Sequence, residues 1–69
     1  MNRIPVQSSN LASVGYDVTT ITLEVEFKDG SVYQYYDVPE MTYQMLMSAD
    51  SKGKFLNYQI KGVFRYSRM

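Results

Sequence analysis

The residues best suited to chemistry lie at the end of the chain. Residues 51–69 contain Lys52, Lys54, Lys61, Arg65 and Arg68 with no acid among them, a charge of +5. Cations at this density neutralise phosphates and release the counterions condensed on a nucleic acid. Tyr58 falls between Lys54 and Lys61, and a phenol ring is a stacking platform for an unpaired base. These six residues predict an interface for RNA or a nucleotide. The alternative is a solvated helix face whose charges answer the acids elsewhere in the chain. Residues 1–50 supply those acids as Asp17, Glu24, Glu26, Asp29, Asp37, Glu40 and Asp50 against Arg3 and Lys28, a net −5. The formal charge of zero is therefore the sum of two opposed segments.

Most other chemistry lacks its residues. The 69 positions include no His and no Cys. Ser-His-Asp and Cys-His nucleophiles, thiolate or imidazole zinc sites and disulfides are excluded with them. Among the carboxylates, Glu24 and Glu26 share a strand face and Asp29 sits in a turn, without the spacing of a calcium loop. Ser51-Lys52-Gly53-Lys54 lacks the spacing of a phosphate-binding P-loop. The expectation is a non-catalytic binding module with no catalytic residue, no cofactor and no metal. No apolar run approaches the roughly 18–20 residues of a membrane span. The N-terminus has no apolar signal region. A cytoplasmic location and no membrane partner are expected.

The elements that must position the basic residues follow from periodicity. Residues 1–10, with Pro5 and the Gln7-Ser8-Ser9-Asn10 cluster, read as a loosely ordered lead-in to a single domain over 11–69. Leu11 to Tyr16 is a short strand candidate. Ile21 to Phe27 alternates Ile21, Leu23, Val25 and Phe27 with Thr22, Glu24 and Glu26, the pattern of a strand with one wet acidic face. Asp29-Gly30 turns the chain into a return strand from Val32 to Tyr36. A two-residue loop would pair Phe27 with Val32, whereas a three-residue loop with a bulge at Gly30 pairs Phe27 with Ser31. The bulged register is favoured because it leaves Gln34 outside instead of burying it unpartnered.

Pro39 to Ala49 reads as a helix with Met41, Thr42, Met45, Leu46 and Ala49 facing the core. Tyr43 and Met47 fall on another side and are candidate interface residues, and a homodimer would form through this side or through an exposed sheet edge. Ser51 caps a second helix over Lys52–Lys61, with Phe55, Leu56 and Ile60 as its apolar stripe and Gly62 as its stop. Val63 to Arg68 alternates as a last strand. The predicted fold class is α+β: a small antiparallel sheet with two short helices on one face, in the order β-β-β-α-α-β. The tyrosines divide into core members (Tyr16, Tyr33, Tyr35, Tyr66) and candidate contacts (Tyr36, Tyr43, Tyr58). Tyr33 and Tyr35 offer a base-stacking platform as their functional reading, but packing under the helices is preferred because a core this small needs large rings.

Gly15-Tyr16-Asp17, Val25, Phe27, Gly30, Tyr33-Gln34-Tyr35, Val38-Pro39, Ala49, Ser51-Lys52-Gly53-Lys54-Phe55, Asn57 and Ile60 together resemble the KTSC domain. That family is named for a domain at the C-terminus of some lysyl-tRNA synthetases and also occurs as stand-alone bacterial and phage-type proteins. The resemblance runs over about residues 11–66. It implies the fold, and through the synthetase context it implies RNA binding. The competing expectation is a small oligomeric interaction or sequestering protein of the kind a phage encodes, with no nucleic-acid role.

Overall fold

The computed structural model describes residues Met1–Met69. Alternating residues build a five-stranded antiparallel meander in simple chain order: β1 (Ile4–Pro5), β2 (Leu11–Asp17), β3 (Thr22–Phe27), β4 (Val32–Tyr35) and β5 (Tyr66–Arg68). Between β4 and β5 run α1 (Glu40–Ser48), α2 (Lys52–Phe55) and a π turn (Leu56–Ile60). The α+β class holds, with one strand more than the predicted order. That strand lies in the N-terminal lead-in, where Ile4 pairs with Val14 and Pro5 with Ser13.

One sheet face meets the helices. Leu23 and Val25 of β3 and Leu11 and Val14 of β2 are fully buried on it, with Leu46 of α1 and Leu56 and Ile60 of the π turn closing the core from above. Leu11 and Val14 share this face, although they lie three positions apart, because a bulge shifts the β2–β3 register between Leu11 and Ser13. The β3–β4 hairpin takes the bulged register. Val25 pairs with Tyr33 and Leu23 with Tyr35. Phe27 N–H donates to the Ser31 carbonyl at 2.8 Å, and Gly30, at φ +92°, closes the loop. No residue with a Cβ adopts that φ without strain.

The helical half departs from the wheel. Leu46 is buried and Tyr43 and Met47 pack against the core, while Met41 and Met45 are 69% and 53% exposed. The core face of α1 is thus rotated toward Tyr43 and Met47. The second helix is also not uniform. Ser51 caps it, its hydroxyl accepting from Lys54 N–H at 3.3 Å. After one α turn the chain widens, and Lys61 N–H reaches back five residues to the Leu56 carbonyl at 2.8 Å. Val63 and Phe64 N–H then both donate to the Ile60 carbonyl. This holds residues 63–64 in a turn, so the last strand is shorter than the alternation suggested.

Candidate nucleic-acid interface

The six residues predicted to bind nucleic acid separate into three groups. Lys52 and Lys54 stand on α2 and Tyr58 on the π turn. Lys54 and Tyr58 are exposed, and Lys52 Nζ donates to the Ala49 carbonyl at 3.3 Å. Lys61 lines a cleft described below, and Arg68 stands over one of that cleft's rings, Tyr33. Arg65 goes elsewhere: its guanidinium bonds Asp37 at 2.6 Å and lies 5.7 Å from the Tyr36 ring centre. Strand alternation explains this. Arg65 follows Tyr36 and Gln34 to the sheet face away from the helices, whereas Tyr66 and Arg68 pair with Tyr35 and Tyr33 on the helix side. Arg65, expected to extend the basic surface, thus stands on the opposite sheet face from Arg68 and is paired with Asp37.

The structure contains two salt bridges, Arg65–Asp37 and Arg3–Glu24. Lys52, Lys54, Lys61 and Arg68 therefore have no carboxylate within 4.0 Å. The acidic strands answer to other partners. Glu24 accepts from Arg3 Nη1 at 2.5 Å and from Gln34 Nε2 at 2.8 Å. Ser13 Oγ accepts from Arg3 Nε and donates to Glu26 at 2.8 Å. Burial pushes the Glu24 carboxyl up, but the Gln34 and Arg3 hydrogen bonds and the Arg3 charge outweigh it and hold the group below the usual glutamate range. Glu24 is only 8% exposed, so the strand face read as wet is in part a closed polar network.

The cleft holds about 310 Å3 and is lined by Tyr33, Tyr35, Lys61, Gly62 and Tyr66. Three rings form its wall. Tyr33 and Tyr66 have centroids 5.8 Å apart, Tyr35 and Tyr66 6.0 Å, and Phe27 packs edge-on to Tyr33 at 5.6 Å. The Arg68 guanidinium lies 5.8 Å from the Tyr33 centroid, within cation–π range. Tyr35 is 2% exposed and Tyr66 is 60% exposed, so the wall runs from the core to open surface. Burial first, then the neighbouring Tyr33 and Tyr66 phenols, push the Tyr35 hydroxyl above the usual phenol range, keeping it a neutral donor. Gly62, at φ +78°, has open space where a Cβ would stand.

Tyr66, placed in the core from sequence, is thus a surface ring, and Tyr33 and Tyr35 belong to a cleft wall as well as to the core. Alternation puts Tyr33 and Tyr35 on one face of β4, but only the β4–β5 register, which pairs Tyr35 with Tyr66, brings the third ring to that face. The interface candidates fare the other way. Tyr43 stacks on Tyr16 with centroids 4.8 Å apart and planes 10° from parallel, and the Tyr16 hydroxyl donates to the Val38 carbonyl. Burial raises the Tyr16 phenol, with Glu40 and Asp17 adding to it. Tyr43 and Met47 are therefore half-buried and pack against the core.

Residues 7–64 match the KTSC domain family. An uncharacterized protein of Stutzerimonas stutzeri is 44% identical over 70 aligned positions, covering 100% of this chain and 99% of its own. A lysine–tRNA ligase of Trichormus variabilis is 40% identical over 63 positions, which span 91% of this chain but 11% of the ligase. The crystal structure of a KTSC domain protein from Yersinia pestis superposes with a TM-score of 0.93 at 45% identity, covering 99% of this chain and 96% of that one.

Proposed function

This chain belongs to the KTSC domain family, and from that premise we propose that it is a non-catalytic module that binds single-stranded RNA or a nucleotide through its C-terminal helix–strand surface. The observation that carries this reading is the uncompensated charge. Four of the five C-terminal cations, Lys52, Lys54, Lys61 and Arg68, lack a carboxylate partner, although the whole chain is electroneutral. A flexible surface that needed only solubility would place acids among them, as mixed charge does this without a single-sign field. The lysine–tRNA ligases that carry a similar stretch support the same direction, since their name assigns them an RNA substrate. Titration of the protein with labelled single-stranded RNA at low and moderate salt tests it. Saturable binding that weakens with salt is expected; no binding at low salt refutes it.

A second reading has one observation in its favour. Met41 and Met45, one turn apart on α1, leave an adaptable apolar strip on the outside. Self-association would use this strip and not Tyr43 and Met47. Sedimentation of the wild type beside Met41→Glu checks it: a monomer in both cases removes this reading.

A further inference from the structure

We infer that the tyrosine cleft is a nucleotide pocket, taking one nucleobase on its rings and the attached phosphate on Lys61 and Arg68. This rests on the RNA-or-nucleotide reading and assigns its point of base contact. Three features of the cleft meet there. The first is a flat aromatic surface. Tyr66 is 60% exposed, and its ring is fixed from behind by Tyr33 and Tyr35 at 5.8 and 6.0 Å. A ring held by other rings stacks on a base without losing rotamer freedom, and every base offers a π face. The second is charge. Lys61 lines the cleft and Arg68 covers Tyr33, and neither has a carboxylate partner. An aromatic ligand without negative charge would leave both cations unused, and a phosphate without a base would leave the rings unused.

The third is a donor at the floor. The Tyr35 hydroxyl has no hydrogen-bond partner within the fold, yet no buried side-chain polar atom goes unpaired. It must therefore reach the surface, and Tyr35 has the cleft as its opening. Its raised phenol keeps the proton on, available to a base nitrogen or carbonyl oxygen. The cleft's size fits a single nucleotide unit, since small-molecule pockets begin at about 300 Å3. The local backbone also serves it. The π turn ends at Ile60 with Lys61 capping it, and Gly62 follows at φ +78° with no Cβ to narrow the opening. π segments recur at functional sites because they displace one residue out of the helical register.

The source of the nucleotide is either a free nucleoside monophosphate or one unit of a single strand, and the test separates them. Isotope-labelled full-length protein is titrated with adenosine monophosphate, with ribose 5-phosphate, with a short oligoadenylate and with an abasic strand of equal phosphate count. Adenosine monophosphate is expected to shift the Gly62 and Tyr66 amide resonances saturably, and ribose 5-phosphate is expected to bind far less. Tyr66→Ala, at an exposed edge position, should weaken adenosine monophosphate about 5- to 100-fold, the range of one base–aromatic stack. Lys61→Gln, at an exposed turn, should weaken it as well while leaving the fold untouched. For the strands, oligoadenylate should exceed the abasic strand by the same factor, and Tyr66→Ala should erase that advantage without changing abasic affinity.

Adenosine monophosphate binding without any strand binding assigns the pocket to free nucleotides and overturns only the RNA part of the wider reading. Strand binding with a salt slope, but with no base advantage and no response of Gly62 or Tyr66 to adenosine monophosphate, overturns the pocket and leaves the basic surface standing.

Discussion

The division of the basic residues yields a prediction that separates neighbours in sequence. Arg65 and Arg68 lie three positions apart, but Asp37 holds Arg65 at 2.6 Å while Arg68 makes no salt bridge and meets the Asp29 charge only at longer range. If Lys52, Lys54, Lys61 and Arg68 each neutralise one phosphate of a single strand, log Kobs falls with log salt at a slope of about −2.8, from about 0.7 per phosphate. Raising salt from about 50 to about 200 mM then weakens binding about 50-fold. Arg68→Ala or Lys61→Ala should each flatten the slope to about −2.1, reducing the same loss to about 20-fold. The pair deletion Arg65→Ala with Asp37→Ala removes a neutral unit and should leave the slope unchanged. Fluorescence anisotropy of a labelled strand, measured across salt concentrations for the four proteins, reads all these values. Flattening by the Arg65/Asp37 deletion equal to that by Arg68→Ala would show that internal pairing does not sort the cations, and the reasoning would fail. So would a wild-type slope shallower than about −1, which means fewer than two phosphates contacted.

The remaining predictions concern the scaffold. Glu24 has its carboxyl held below the usual range in the folded state, so the stability it contributes is present above its unfolded value, about pH 4.3, and is lost as pH falls through the folded value. Urea midpoints should therefore fall on acidification below about pH 4, and Glu24→Gln should show a flatter profile over that window. Arg3→Ala should cost about 1–2 kcal/mol at neutral pH, the contribution of a hydrogen bond to a charged group reduced by solvent at the part-exposed guanidinium. Gly15→Ala places a Cβ 2.7 Å from the Asn2 carbonyl oxygen, so the N-terminal segment must move, at about 1–3 kcal/mol, and the Arg3 side-chain resonance should shift with it. Tyr43→Ala should cost about 2–3 kcal/mol by chemical denaturation, since it removes a ring packed on the core, while Met41→Ala should stay within about 0.5 kcal/mol; equal effects would refute the assigned core face of α1.

What the chain announces in advance depends on how local the deciding contact is. The β3 strand is legible because its alternation is unbroken, and the hairpin register follows because one polar side chain decides it. Gln34 on the outer face finds Glu24 at 2.8 Å, which the other register would deny it. The face of α1 is different. Met41 and Met45 form one apolar stripe and Tyr43 and Met47 form another, and helical periodicity ranks neither. The tie is broken by Tyr16, a residue on β2 whose ring stacks on Tyr43. Residues 63–64 alternate as a strand would, yet two hydrogen bonds to the Ile60 carbonyl keep them in a turn. The basic residues were visible as a charge count, but their sorting was not, because it depends on the β4–β5 register that sends Arg65 one way and Arg68 the other. The tyrosine cleft was hidden for the same reason: it exists only once Tyr66 is paired with Tyr35 and the π turn sets Gly62 beside them.

The charge balance of the fold gives these separate observations one cause. Carboxylates here are largely occupied by neutral donors. Asp17 accepts from Thr19 N–H, Asp29 from Ser31, Glu26 from Ser13, and Glu24 from Gln34 as well as Arg3. Only Glu24 and Asp37 take a cation. An acid satisfied by hydroxyl and amide groups keeps its charge but has no need of a lysine, so the lysines are left without carboxylate partners. Electroneutrality in the count thus coexists with four C-terminal cations that make no salt bridge. A solvated lysine face and a binding face would both show such unpaired cations. On the proposed reading what separates them is company: Lys61 lines a cleft walled by three tyrosine rings, one of them largely exposed, and Arg68 stands over one of those rings, so both cations sit beside a surface on which a base can stack. Under the proposed reading Lys54, exposed on α2 and outside the cleft lining, would contribute to affinity but not to base selection.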